Sequence, residues 1–202
     1  MDTKALFKIG YGLYVLTAMD YDKHNGCIIN TLQQVTSDPL RISITVNKAN
    51  LTHDMILHTG DFNVSILSEQ ADFSVFRHIG FQSVHTAEKI AGNRDMGWAE
   101  NGLSYLKTDA ANAYLSGKVF QSIDLGTHTM VLADVTDAQV LSPAESATYS
   151  YYPAHIKPKP EKKAAGGWRC QICGYVHEGE ELPDDFVCPL CKHGAADFEK
   201  IS

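Results

Sequence analysis

The chain has 202 residues, 44% hydrophobic and 20% charged, which is enough apolar material for one ordinary domain with a small appendage and too much for a disordered chain. Its formal net charge of −7 excludes the broad basic surface that displaces counterions from nucleic acid, so no nucleic-acid partner is expected. No apolar run approaches membrane-spanning length, and the first residues, Met1 to Lys8, hold no apolar signal core; the expectation is a cytoplasmic protein with no membrane partner.

Residues 11–20 read as a strand that ends in a polar turn from Tyr21 to Gly26. The Asn25-Gly26 pair is the turn signal, because both residues tolerate positive φ. Residues 27–35 then return as the second strand of a hairpin. Leu40, Ile42, Ile44 and Val46 alternate with Arg41, Ser43 and Thr45, the period of a half-buried strand. The pattern predicts a short helix over Leu51–Thr59, a strand over Asp61–Leu67, and a helix over residues 71–79 with Ala71, Phe73, Val75, Phe76 and Ile79 toward a sheet. Two long β-rich stretches follow, 113–125 and 129–141. The chain is therefore mainly β, best accommodated by a closed or partly closed barrel with a few short helices.

Charge changes sign along the chain. Residues 1–156 hold 10 basic and 16 acidic side chains, residues 157–167 hold 4 and 1, and residues 168–202 hold 3 and 7. The middle segment, Lys-Pro-Lys-Pro-Glu-Lys-Lys-Ala-Ala-Gly-Gly, reads as a linker: its Lys-Pro pairs favour extended backbone at roughly 3.1 Å per residue, and its glycines bend freely. The expected organisation is a body over 1–156, a linker over 157–167 and a small C-terminal domain over 168–202.

Four of the five cysteines lie in that last segment, as Cys170-x-x-Cys173 and, after 14 intervening residues, Cys188-x-x-Cys191. Four thiolates at this spacing close a tetrahedron around one metal ion, and a domain of about 35 residues needs such a staple to fold. Spacing alone suits zinc as well as iron. The surroundings, Trp168-Arg169-Cys170-Gln171-Ile172-Cys173-Gly174-Tyr175 and Leu182-Pro183-Asp184-Asp185-Phe186-Val187-Cys188-Pro189-Leu190-Cys191, resemble the two knuckles of rubredoxin. That resemblance implies one iron on Cys170, Cys173, Cys188 and Cys191, with Trp168, Tyr175, Phe186 and Phe198 as the aromatic core. The stretch between the pairs is about half that of ordinary rubredoxin and nearer the shortened domain of rubrerythrins. An iron with four thiolates has no open coordination position, so it relays single electrons.

The body resembles the flavin-reductase-like family of FMN-binding split barrels. The match rests on Gly12-Leu-Tyr-Val-Leu-Thr17, Asn25-Gly26-Cys27, Asn30-Thr31, Gln34-Val35-Thr36-Ser37-Asp38-Pro39, Val46-Asn47-Lys48-Ala49-Asn50-Leu51-Thr52, Gly60-Asp61-Phe62-Asn63-Val64-Ser65 and Gly126-Thr127-His128-Thr129. It implies that the segment with Asn30, Thr31, Gln33, Gln34, Val35, Thr36 and Ser37 runs past the flavin ring and ribityl chain. Asn47, Lys48, Asn50 and Thr52 would converge N–H groups, one cation and a hydroxyl on the phosphate. These residues also suit plain turn and cap roles, with Asn50 as an N-cap. His128 matches a family histidine near the flavin, a candidate catalytic residue for pyridine-nucleotide binding, and equally suits a hydrogen-bonded strand position. Phe76 to Phe81, and Tyr151 with Tyr152, either cover the flavin or pack on the barrel. Cys27 reads as a small buried residue.

No complete G-x-G-x-x-G motif is present, so a Rossmann site is excluded, and NADH or NADPH would stack directly on the flavin. The two resemblances together are of the high-molecular-weight rubredoxin type. They imply electron flow from NAD(P)H through FMN to the iron, then to a protein acceptor such as a flavodiiron O2 or NO reductase, in a homodimer. The alternative is an electron carrier of the flavoredoxin kind, loaded by a separate reductase.

Overall fold

The computed structural model describes residues 1–81, 90, 92–158, 167–172, 174–189 and 193–201. Strands β1 (Tyr14–Asp20) and β2 (Lys23–Ile29) form a hairpin in which Asp20 pairs with Lys23. Its turn is Tyr21-Asp22, with Tyr21 at φ 52°, so the expected turn over 21–26 is too long. Asn25 and Gly26 lie inside β2 for reasons of packing. Asn25 Nδ2 donates to Thr52 Oγ1 at 3.1 Å in the interior, and a Cβ on Gly26 would stand 3.1 Å from the Leu16 carbonyl oxygen. The returning strand also stops early: β3 (Gln33–Ser37) is separate and pairs with β4 (Leu40–Asn47) across a cis Asp38-Pro39 bond.

Helix α1 (Leu51–Thr59) occupies the expected residues and ends at Gly60, whose φ of 76° lets its N–H reach the Ile56 carbonyl at 2.9 Å. Strand β5 (Asp61–Leu67) also runs as expected. The helix expected over 71–79 is instead one α turn, α2 (Phe73–Val75), followed by a π turn over Phe76–Gly80. Asp72 sets its start by accepting from Ser74 N at 2.7 Å, and the wider π turn carries both Phe76 and Ile79 into the core. A two-stranded ribbon of β6 (Met96–Trp98) and β7 (Ser104–Leu106) has no counterpart in the sequence reading. The long strands β8 (Ala111–Asp124) and β9 (His128–Val140) pair through two register shifts, at Ser116/Gly117 and Val119/Gln121.

The seven main strands form one antiparallel sheet in the order β2-β1-β5-β8-β9-β4-β3. Its ends curl toward each other. Cys27 and Ile29 of β2 share one core with Ile42, Ile44 and Val46 of β4, and α1 plugs that core with Met55 and Ile56. The result is the mainly β barrel with few short helices that the sequence implied. A second cluster under the π turn gathers Leu13, Val15, Leu67, Phe76, Ile79, Ile90 and Ile156. Among the described residues no helix is long and apolar enough to cross a membrane.

The small C-terminal unit is a three-stranded sheet, β11 (Val176–His177), β10 (Gly167–Cys170) and β12 (Phe198–Ile201), in that order. Its core is Cys170, Cys188 and Phe198, walled by Trp168, Tyr175, Leu182 and Phe186, with Phe81 of the barrel against it. Most of the expected linker, residues 159–166, lies outside the described residues.

Gly117 pairs with Phe62 across the sheet, and a Cβ there would fall 2.4 Å from the Phe62 ring. Gly117→Ala therefore forces the ring off its site. It is expected to lower stability by about 1–3 kcal/mol, measurable as a fall in the urea midpoint at unchanged slope.

Candidate functional site

β4 organises the candidate site. Beyond β2, Thr31 Oγ1 donates to the Thr45 carbonyl at 2.6 Å and accepts from Thr45 N at 3.2 Å. One hydroxyl thus pins the segment that leaves β2 onto the middle of β4. From there the chain runs along β4 as β3, with Gln33 opposite Ser43 and Ser37 opposite Leu40. All five β3 residues are exposed on an outer edge of the sheet. Gln33 Nε2 and Gln34 Nε2 donate to the carbonyls of Gln34 and Thr36, and Thr36 Oγ1 to that of Pro39. Gln33 and Gln34 also border a cleft of about 320 Å³ with Tyr14, Leu32 and Leu115.

At the far end of β4 the chain turns through Asn47, Lys48, Ala49 and Asn50 into α1. Asn47 Oδ1 accepts from Ala49 N at 2.9 Å, and Asn50 N donates to the Asn47 carbonyl at 3.0 Å. Asn50 holds the N-cap position with extended backbone, yet its side chain makes no capping hydrogen bond. The main chain of Lys48 donates to Thr127 O at 3.1 Å, and His128 pairs with Asn47 in the sheet. His128 therefore stands beside the Asn47–Thr52 turn, with its Nδ1 2.9 Å from Thr127 Oγ1.

The cation of this turn is already engaged. Lys48 Nζ lies 2.6 Å from Asp124 Oδ1, which also accepts from Gly126 N at 2.8 Å. The Lys48 hydrogen bond, followed by that from Gly126, holds the Asp124 carboxyl below the ordinary carboxylate range. Thr52, assigned to the phosphate by its hydroxyl, is buried and accepts from Asn25. Next to it, His53 was not singled out in the sequence. It is buried, with Nδ1 2.7 Å from Asp54 Oδ1 and Nε2 2.9 Å from Thr129 Oγ1. Its only sequence signal is its place directly after Thr52.

The aromatic candidates contact one another and the barrel. The Phe76 and Tyr152 rings stand 4.5 Å apart, Tyr151 stacks on His155 at 4.2 Å, and Cys27 is buried in the barrel core.

In the small unit, Cys170 and Cys188 arrive from separate segments into one aromatic-walled cluster, 1% and 0% exposed. Cys173 and Cys191 lie outside the described residues. Each of these two cysteines makes a backbone hydrogen bond to a nearby residue of the unit. Gly174, at φ 85°, donates its N–H to the Cys170 carbonyl at 2.9 Å, and Cys188 N donates to His193 O at 2.8 Å. Two buried sulfur donors gathered in one cluster fit a thiolate-held iron. The Asn47–Thr52 turn, which carries Lys48 and leads into the first residues of α1, fits a phosphate.

Thr31→Val removes both hydrogen bonds to Thr45 while keeping the shape. The expected cost is about 1 kcal/mol in chemical denaturation, with the half-buried Thr45 N–H and carbonyl losing their partner.

Comparison with known proteins extends over the whole chain. A flavin reductase like domain matches residues 6–159, and a rubrerythrin, rubredoxin-like domain matches residues 168–199. A high molecular weight rubredoxin of Moorella thermoacetica is 37% identical over 232 aligned positions, covering 100% of both chains. A ferric-chelate reductase (NAD(P)H) of Archaeoglobus fulgidus is 35% identical over 164 positions, 81% of this chain and 96% of that one. Among solved structures, the Streptomyces globisporus NADH:FAD oxidoreductase SgcE6 superposes with a TM-score of 0.65 at 21% identity, covering 73% of this chain and 85% of the other, a likeness of fold. The chain belongs to the flavin reductase-like family and, with a rubredoxin-like domain behind its barrel, is an electron-transfer flavoprotein whose cofactors are FMN and one iron.

Proposed function

We propose that the chain takes electrons from NADH or NADPH and delivers them, one at a time, to a protein acceptor. The observation that carries this reading is the union in one chain of a flavin-reductase barrel and a buried sulfur cluster, with the same union across the full length of the Moorella relative. Bound FMN supplies a two-electron acceptor for hydride, and the thiolate-held iron supplies a one-electron outlet.

The residues divide the binding work. Lys48 and the start of α1 hold the phosphate, Lys48 exchanging Asp124 for the ligand. Asn50 offers its side-chain amide, and Thr52 anchors the turn through Asn25. Thr31 fixes the path along which Asn30, Gln33, Gln34, Val35, Thr36 and Ser37 present polar groups to the ribityl chain and ring edge. His128, beside Asn47, orients the pyridine nucleotide by hydrogen bonding; it holds no reacting proton in this scheme. Cys170, Cys173, Cys188 and Cys191 hold the iron. Similarity to the ferric-chelate reductase (NAD(P)H) of Archaeoglobus supports a pyridine-nucleotide donor.

The body occupies 1–156, the tether 157–167 and the iron domain 168–202. A homodimer is supported by the large apolar side chains left exposed on neighbouring strands, among them Val35, Leu40, Phe120, Ile123 and Val140. The acceptor is a flavodiiron protein that reduces O2 or NO, in keeping with the high-molecular-weight rubredoxin type.

Anaerobic stopped-flow mixing with NADH or NADPH is expected to bleach the flavin and then the iron absorption within the mixing experiment. If neither bleaches, the chain is a carrier loaded by a separate reductase. Lys48→Met is expected to weaken FMN binding by about tenfold, the order of one charge-assisted contact to phosphate, read by fluorescence titration of the apoprotein.

A further inference from the structure

We propose that Lys157 latches the iron unit onto the barrel of its own chain, so that electrons cross between the flavin and iron sites through the cavity bounded by Asn50 and Cys27 on one side and Ile172 and His193 on the other. This rests on the assignment of FMN and iron sites made above, and adds how the two are joined.

Lys157 directly follows the π turn Tyr152–Ile156, which is anchored in the barrel by buried Ile156 and by Tyr152 against Phe76. Its ammonium donates to the carbonyls of Gln171 at 3.0 Å and Ile172 at 2.6 Å. Those two residues stand between Cys170 and Cys173, so the charge sits on the metal-binding loop itself. Charge-assisted bonds of this kind are stronger than neutral ones and fix direction. A second, apolar attachment backs the first: the Phe81 ring belongs to the barrel and packs against the Cys170, Cys188 and Phe198 cluster.

Between the two attachments lies a cavity of about 260 Å³ lined by Cys27, Ile28 and Asn50 from the barrel, and by Ile172 and His193 from the iron unit. Asn50 belongs to the turn assigned to the flavin. Ile172 and His193 lie one and two residues from the ligand positions Cys173 and Cys191. The two sites thus face one enclosure. Reduction of a four-thiolate iron adds one negative charge to the unit without uptake of a proton. An ammonium on the loop carbonyls favours that more negative state, so Lys157 is a positioning residue that also tunes the outlet.

The test uses the full-length protein loaded with FMN and iron, as wild type, Lys157→Gln and Lys157→Arg. The iron midpoint is read in an anaerobic redox titration. Flavin-to-iron transfer is read after photoreduction, with no pyridine nucleotide present. Lys157→Gln is expected to shift the reduction equilibrium of the iron about tenfold toward the oxidised state, about 59 mV for one electron, and to slow transfer by about tenfold or more. Lys157→Arg is expected to restore both. A Lys157→Gln protein with wild-type midpoint and rate overturns the latch, and so does a shifted midpoint with an unchanged rate. Because light replaces NAD(P)H, absence of pyridine-nucleotide reactivity leaves this result readable. A chain that binds no flavin or no iron sinks the earlier assignment instead.

Discussion

The apolar contact between β2 and β4 governs the rest of the molecule. These strands lie near opposite ends of one sheet, yet Cys27, Ile29, Ile42 and Ile44 share a core, and that shared burial rolls the sheet into a barrel. Rolling brings the end of β2 within reach of β4, where the Thr31 hydroxyl replaces two ladder hydrogen bonds. It also gives α1 a hole to plug, which fixes the Asn47–Thr52 turn at the rim and His128 next to it. Apart from buried Thr52, the polar groups assigned to the flavin are thus peripheral features, positioned by an apolar closure.

Three ion pairs lie on the outside of the barrel. Lys48 with Asp124, Arg41 with Asp134 and Lys118 with Asp61 each join neighbouring segments across exposed surface. Pairs of this kind add little to stability in water. For Lys48 the arrangement has a different meaning. Asp124 remains ionised well into acid because two hydrogen bonds favour its charged form, so near neutral pH the lysine is always offered a carboxylate. An anion held at this turn has to outcompete it, and a dianion such as phosphate does so more readily than a monoanion.

Much of this was legible in the sequence because the signals were local. The alternation over Leu40–Asn47, the helix at Leu51–Thr59 and the strand at Asp61–Leu67 each follow from side-chain period and from glycine at the helix end. The cysteine spacing pointed to a metal without any knowledge of the fold. What escaped was set by distant partners. Asn25-Gly26 has the composition of a turn, but Thr52 and Leu16 require an amide and an absent Cβ there, so tertiary contact overrode the local preference. The π turn at Phe76–Gly80 answers to the core beneath it. His53 meets Thr129 across 76 residues, and Lys157 meets Gln171 and Ile172 across 14 and 15, pairings that no local periodicity announces.

Phe81 belongs to two cores at once, closing the barrel's second cluster and the wall around Cys170 and Cys188. The iron unit, shortened relative to ordinary rubredoxin, thereby borrows part of its hydrophobic interior from its neighbour. Melting of either part strips apolar cover from the other at this ring, a point of coupling between two chain segments that are consecutive and separately recognisable.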